Sequence, residues 1–71
     1  MEIKLGRYRH YKGKDYKVFN VATHSETMEK FVVYQTLYGD YDWWIRPFNM
    51  FTENIEINGK VVPRFEWISE D

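Results

Sequence analysis

Phe31-Val32-Val33-Tyr34-Gln35-Thr36-Leu37-Tyr38-Gly39-Asp40-Tyr41-Asp42-Trp43-Trp44-Ile45-Arg46-Pro47 reads as a strand, a tight turn and a return strand. Phe31 to Tyr38 is rich in β-branched and aromatic residues, and it alternates weakly because both of its faces are apolar. That pattern suits a strand inside a closed barrel or a sandwich. Gly39-Asp40 ends the first strand, and Trp43 to Arg46 returns. Arg46 precedes a proline, which holds its backbone extended.

The same grammar extends in both directions. Upstream, Tyr16 to Thr23 is a strand with Lys17, Phe19 and Val21 on one face and Val18, Asn20 and Ala22 on the other. His24 to Lys30 is polar and reads as a loop, ordered by side-chain bonds from Ser25 and Thr27, with Glu26 expected to pair with an arginine. Downstream, Phe48-Asn49-Met50-Phe51 is long enough for one helical turn. Ile55 to Ile57 then pairs with Lys60 to Val62 across Asn58-Gly59, since a two-residue Asn-Gly turn supplies the positive φ that a tight hairpin needs. Pro63 marks an edge or a bulge, Arg64 to Ile68 continues as a strand, and Ser69-Glu70-Asp71 frays. No helical periodicity spans 11 residues. The count is five or six short strands, which fits a small closed β-barrel.

Composition narrows the class. Seventy-one residues form one domain, residues 1–71. Cysteine is absent, which removes disulfides and thiolate metal sites and suggests a reducing compartment. No segment approaches the length of apolar chain that spans a membrane, and Met1-Glu2-Ile3-Lys4 does not open a signal peptide, so the expected location is the cytoplasm. Net charge is −1, but residues 1–17 sum to +4 and residues 18–71 to −5. Ion pairs across adjacent strands are the simplest use of that division.

Aromatic residues are 20% of the chain, and they stand beside arginines and histidines. A domain this small buries only about 60% of its unfolded surface, so some rings remain exposed. Exposed rings beside guanidinium groups make a binding surface. Trp44 and Arg46 share a strand face, and Tyr34 can lie across from them. Tyr8 and His10 share a face of an earlier strand, and Arg64 has Glu66 as its same-face partner. Tyr34, Phe51 and Phe65 are expected to be core.

Other chemistries find no support. His24-Ser25-Glu26 is contiguous, whereas a nucleophilic triad converges from separate segments. His10, His24 and Glu26 do not have metal-ligand spacing. Gly6, Gly13, Gly39 and Gly59 are scattered turn residues rather than a phosphate loop. Leu37 to Tyr41 with Trp43-Trp44 superficially matches signalling SH3 signatures, but those pieces belong on separate strands and here almost touch.

The ordered motifs Gly6-x-Tyr8-x-His10-Tyr11-Lys12-Gly13-x-x-Tyr16, Ala22-x-His24-Ser25-Glu26-Thr27, Val32-Val33-Tyr34, Leu37-Tyr38-Gly39-Asp40, Trp44-Ile45-Arg46-Pro47, Met50-Phe51 and Pro63-Arg64-Phe65 resemble the bacterial family DUF1653, a domain of unknown function. The resemblance runs from about Gly6 to Trp67. It implies a small SH3-like β-barrel and a bacterial, cytoplasmic origin; it implies no activity. Family members mostly carry one aromatic residue before the Ile/Val-Arg-Pro motif, so of Trp43 and Trp44 only Trp44 corresponds.

The combined expectation is an all-β, SH3-like barrel acting as a non-enzymatic binding module without cofactor or metal. Its ligand-binding residues are Tyr8, His10, Tyr34, Trp44, Arg46 and Arg64. The rings stack and the arginines hold an anion, which suits a nucleotide, a phosphorylated metabolite or single-stranded nucleic acid. The alternative is a protein-interaction domain that uses an exposed strand edge or the Trp43 face. A small hydrolase built on His10 or His24 lacks convergent catalytic roles.

Overall fold

The structure, a computed structural model, describes residues 3–71. Seven strands and one helical turn follow one another: β1 (Gly6–His10), β2 (Asp15–Thr23), β3 (Lys30–Thr36), β4 (Trp43–Pro47), α1 (Phe48–Phe51), β5 (Asn54–Ile57), β6 (Lys60–Pro63) and β7 (Phe65–Ser69). The expected count of five or six strands is therefore low. The earlier strand expected to carry Tyr8 and His10 forms as β1, and the extra strand comes from a break at Arg64 that splits the C-terminal run in two. All strand pairings are antiparallel. None of the helices is long and apolar enough to cross a membrane among the described residues.

The main sheet has the order β4-β3-β2-β1-β7, and β5-β6 is a separate two-stranded sheet. The sheet is not closed, since β4 and β7 remain edges without hydrogen bonds to each other. It is instead strongly curled. Phe65 of β7 reaches Tyr34 of β3, with ring centroids 5.8 Å apart. Two bulges support the curl, because an extra residue increases local twist. One lies between Arg7 and Tyr8 opposite β7, the other between Val18 and Asn20 opposite β3. Gly6 sits at the first with φ 121°, and a Cβ there would collide with the carbonyl oxygen of Ser69.

The second bulge corrects the face assignment of β2. Val18 pairs with Tyr34 and Asn20 with Val33, which leaves Phe19 as the additional residue. Alternation resets there, so Val18 and Val21 face inward with Tyr34 and Val32. Phe19 turns outward onto Trp43, ring centroids 4.7 Å apart.

The interior is Tyr8, Tyr16, Val18, Val32, Tyr34, Phe51 and Phe65. The expected core residues Tyr34, Phe51 and Phe65 are all among them. Phe51, on the helical turn after Pro47, stacks on Phe65 at 4.1 Å with planes 5° apart. Asn58 at φ 50° and Gly59 at φ 81° make the expected hairpin turn between β5 and β6. Two basic residues of the N-terminal segment are paired locally. Arg7 and Arg9 both bind Asp15 across β1 and β2, each Nε 2.8 Å from a carboxylate oxygen. The expected pairing of the basic segment with the acidic remainder does not form among the described residues, since the acid that Arg7 and Arg9 share belongs to the same segment.

Candidate functional site: an aromatic face crossed by one arginine

The inner face of the curled sheet emerges to solvent beside Phe65. Strand β4 pairs with β3 so that Trp44 lies opposite Tyr34 and Arg46 opposite Val32, as the alternation requires. Trp44 leans over Tyr16 and Tyr34 at 6.0 and 6.1 Å between ring centroids. Arg46 reaches away from the edge. Its Nε donates to the Tyr34 hydroxyl at 3.3 Å, and its guanidinium carbon lies 5.5 Å from the Phe65 centroid. The floor is thus Tyr16, Tyr34 and Phe65, all buried, with Trp44 exposed on the rim and Arg46 half-buried.

The arginines differ in their partners. Arg7 and Arg9 share Asp15, and Arg64 Nη2 donates to Glu53 Oε1 at 2.9 Å. The expected Arg64–Glu66 pair does not form, because the backbone breaks from sheet geometry at Arg64 and its N–H binds the carbonyl of Glu53 instead. Arg64 Nε is buried without an acceptor among the described residues. Arg46 has no carboxylate partner at all among the described residues.

His10 borders the same face, its ring 4.9 Å from Phe65 and 6.4 Å from Tyr16. Its Nδ1 accepts the backbone N–H of Lys12 at 3.2 Å. In the neutral ring the proton must then sit on Nε2, which becomes a donor. Burial pushes His10 below the ordinary imidazole pKa, and the charges of Arg46, Arg64 and Lys12 push it further down. Tyr16 and Tyr38 share a hydroxyl–hydroxyl bond of 2.7 Å. Burial, then that bond, raises the Tyr16 phenol, so it stays protonated. The face therefore offers one permanent cation, neutral donors and flat rings.

Four of the six expected residues converge here: His10, Tyr34, Trp44 and Arg46. Tyr8 lies in the interior, edge-on to Phe51 at 5.4 Å, with its hydroxyl donating to the Lys4 carbonyl at 2.7 Å. Arg64 acts on His10 through its charge and is tied to Glu53. Tyr16, Tyr38 and Phe65 belong to the face and were absent from the expected set. The register Tyr16↔Thr36 brings Tyr16 beside Tyr34, and no local pattern announces it. A cleft of about 580 Å³ on the other side of His10 is lined by Arg9, Tyr11, Ile57, Lys60, Val62 and Glu66 among others. It contains neither Trp44 nor Arg46.

His24 has a different role. Its Nδ1 accepts the N–H groups of Glu26 and Thr27 at 3.2 and 3.3 Å, and its carbonyl accepts Met28 N–H at 2.8 Å. The expected Glu26–arginine pair is absent among the described residues; the imidazole orders the loop in its place. No group of three histidine, cysteine or acidic side chains that could hold a metal ion occurs among the described residues.

The sequence profile of DUF1653, a protein family of unknown function, matches residues 6–67. The chain belongs to the DUF1653 family. Its fold is similar to a crystal structure of a DUF1653 protein from Bordetella bronchiseptica. The two are 30% identical over 99% of this chain and 92% of that one, with a TM-score of 0.88. No curated protein matches. Within this DUF1653 chain, the matched region takes in the whole aromatic face, from His10 to Phe65.

Proposed function

We propose that this chain is a small, non-enzymatic binding module of the bacterial cytoplasm, built on an opened SH3-like barrel, that recognises a planar anionic ligand through the Trp44/Arg46 face. The observation that carries the reading is Arg46, which has no carboxylate partner among the described residues while the other arginines have one. A half-buried guanidinium next to Trp44 and a neutral imidazole suits an anion attached to a flat ring: ring on ring, charge on charge. Nucleotides, phosphorylated aromatic metabolites and single-stranded nucleic acid share that chemistry. Tyr34 holds the guanidinium from below, and Trp44 is the exposed stacking surface.

Tryptophan fluorescence titrated with nucleotides and short single-stranded oligonucleotides tests the reading. Arg46→Lys keeps the charge and loses the planar fork, so affinity should fall about tenfold or more while the melting temperature holds. A titration with no response to any of these ligands, or equal affinity in Arg46→Lys, removes the proposal. A protein-interaction role has its own observation in its favour, the bare edge of β4.

A further inference from the structure

Strand β4 ends the sheet without a neighbour, and it is unusually sticky for an edge. Trp43, Trp44 and Ile45 are consecutive, large, apolar and exposed. Natural edge strands are ordinarily blunted by charge, proline or a covering element. The opposite edge follows that rule. Strand β7 carries Glu66 and runs out into Glu70 and Asp71, so two copies meeting there would oppose like charges.

The backbone parity of β4 can be read directly. Thr36 N–H donates to the Asp42 carbonyl at 2.9 Å, so Asp42 faces β3. Along an antiparallel ladder the bonding direction alternates, so Trp44 and Arg46 also face β3. Trp43, Ile45 and Pro47 face the open edge. Pro47, which has no N–H to donate, therefore sits where the β3 ladder needs none. The open edge offers an N–H and a carbonyl from Trp43 and the same from Ile45.

We infer that β4 pairs antiparallel with β4 of a second copy of this chain, with Trp44 opposite Trp44. In this register Trp43 of each copy exchanges hydrogen bonds with Ile45 of the other, which uses all the outward N–H and carbonyl groups of these residues. It also places Asp42 opposite Arg46 twice, on the same sheet face as Trp44, and to meet that carboxylate the Arg46 guanidinium turns from Tyr34 and Phe65 toward the edge. Asp42-Trp43-Trp44-Ile45-Arg46 is apolar and symmetric about Trp44, with opposite charges at its two ends. Neither charge has an ion-pair partner among the described residues. Sliding one strand by two residues past the other, with Ile45 opposite itself, sets Asp42 against Phe48 and calls on Pro47 as a donor. Charge and hydrogen bonding thus select the same register. The inference stands apart from the anion reading, although Asp42 of the second copy and an anionic ligand would compete for Arg46, so each opposes the other.

Sedimentation velocity from about 1 µM to about 1 mM chain is the first measurement, a range that covers weak edge association. The expected result is a concentration-dependent doubling of mass. Asp42→Arg and Arg46→Asp should each return the protein to monomer, and the double variant Asp42→Arg/Arg46→Asp should restore the dimer. Because the natural chain has no cysteine, Trp44→Cys should form an intermolecular disulfide on mild oxidation. Directly opposed residues at a non-hydrogen-bonded antiparallel position are about 4.5 Å apart between Cα atoms, within disulfide reach. A monomer throughout that range overturns the inference. So does a dimer indifferent to both charge reversals, or one trapped by Ile45→Cys but not by Trp44→Cys.

Discussion

On the inner face of the β3–β4 ribbon, Val32, Tyr34 and Thr36 are 0%, 1% and 3% exposed; on its outer face, Trp43 and Ile45 are 59% and 63% exposed. Both faces are apolar in sequence, and one pleat produces both. What separates them is what packs against each. The inner face meets Phe51 of α1 and Phe65 of β7, which bring two further rings onto Tyr34 at 5.2 and 5.8 Å. Among the described residues the outer face has Phe19 packed against Trp43. Apolar character therefore did not determine burial in this chain. The curl of the sheet did, and it curls one way only.

The sharpest way to break this contrast is Phe51→Ala. Phe51 is 1% exposed and stacked on Phe65, so truncation leaves a cavity under the whole inner face. The expected loss is about 3–5 kcal/mol, a large part of the ~5–15 kcal/mol that holds a domain. Urea unfolding measures it, and a midpoint near that of the parent would show that the inner face is not the core.

Gly6→Ala tests the curl itself. The added Cβ meets the Ser69 carbonyl oxygen, and φ 121° is closed to alanine. The β1–β7 pairing must shift, at about 1–3 kcal/mol. Faster amide exchange across β7, with β3 protected, is the expected signature; uniform protection would place the cause of the curl elsewhere.

A smaller effect follows from His10. Its folded pKa is lowered, by burial first and by Arg46, Arg64 and Lys12 after that. The unfolded chain therefore binds this proton at a higher pH than the folded one, and stability rises with pH across that window. The contribution is complete above the unfolded imidazole value of about 6.5 and is lost as pH falls through the lowered folded value. Denaturation of parent and His10→Gln proteins between about pH 5 and pH 7.5 should show the parent gaining on the variant as pH rises. Parallel curves would mean that neither burial nor the neighbouring cations lower the His10 pKa in the folded chain.

The smallest effect belongs to the outer face. Ile45→Thr, in dilute protein, should change stability by no more than about 0.5 kcal/mol. A loss of several times that would mean the outer face is covered in the native protein, and would erase the contrast.

The sequence by itself determined the pieces whose geometry is local. Asn58-Gly59 needs no tertiary help to specify a two-residue turn, since its neighbours are apolar and its φ values are the ones Asn and Gly tolerate. Pro47 stopped β4 and started the helical turn at Phe48, and Trp44 and Arg46 share a strand face by alternation, whereas the six-residue connection from Leu37 to Asp42 set the register that puts Trp44 opposite Tyr34. Within the candidate site, Trp44, Arg46, Tyr34 and His10 were legible because alternation along a strand is a rule of covalent geometry. Only the tertiary structure decided the rest. The bulge at Phe19 reset the faces of β2, and nothing local marks a bulged residue that is not glycine. Tyr8 carries the same ring as Tyr34 and both pack on Phe51, but the Tyr8 hydroxyl turns to the Lys4 carbonyl whereas that of Tyr34 accepts from Arg46. Arg64 chose Glu53 over Glu66 because the chain breaks from sheet geometry there. A closed barrel became an open sheet because closure depends on whether β4 and β7 come within hydrogen-bonding reach of each other, which is a property of accumulated twist and not of any one residue.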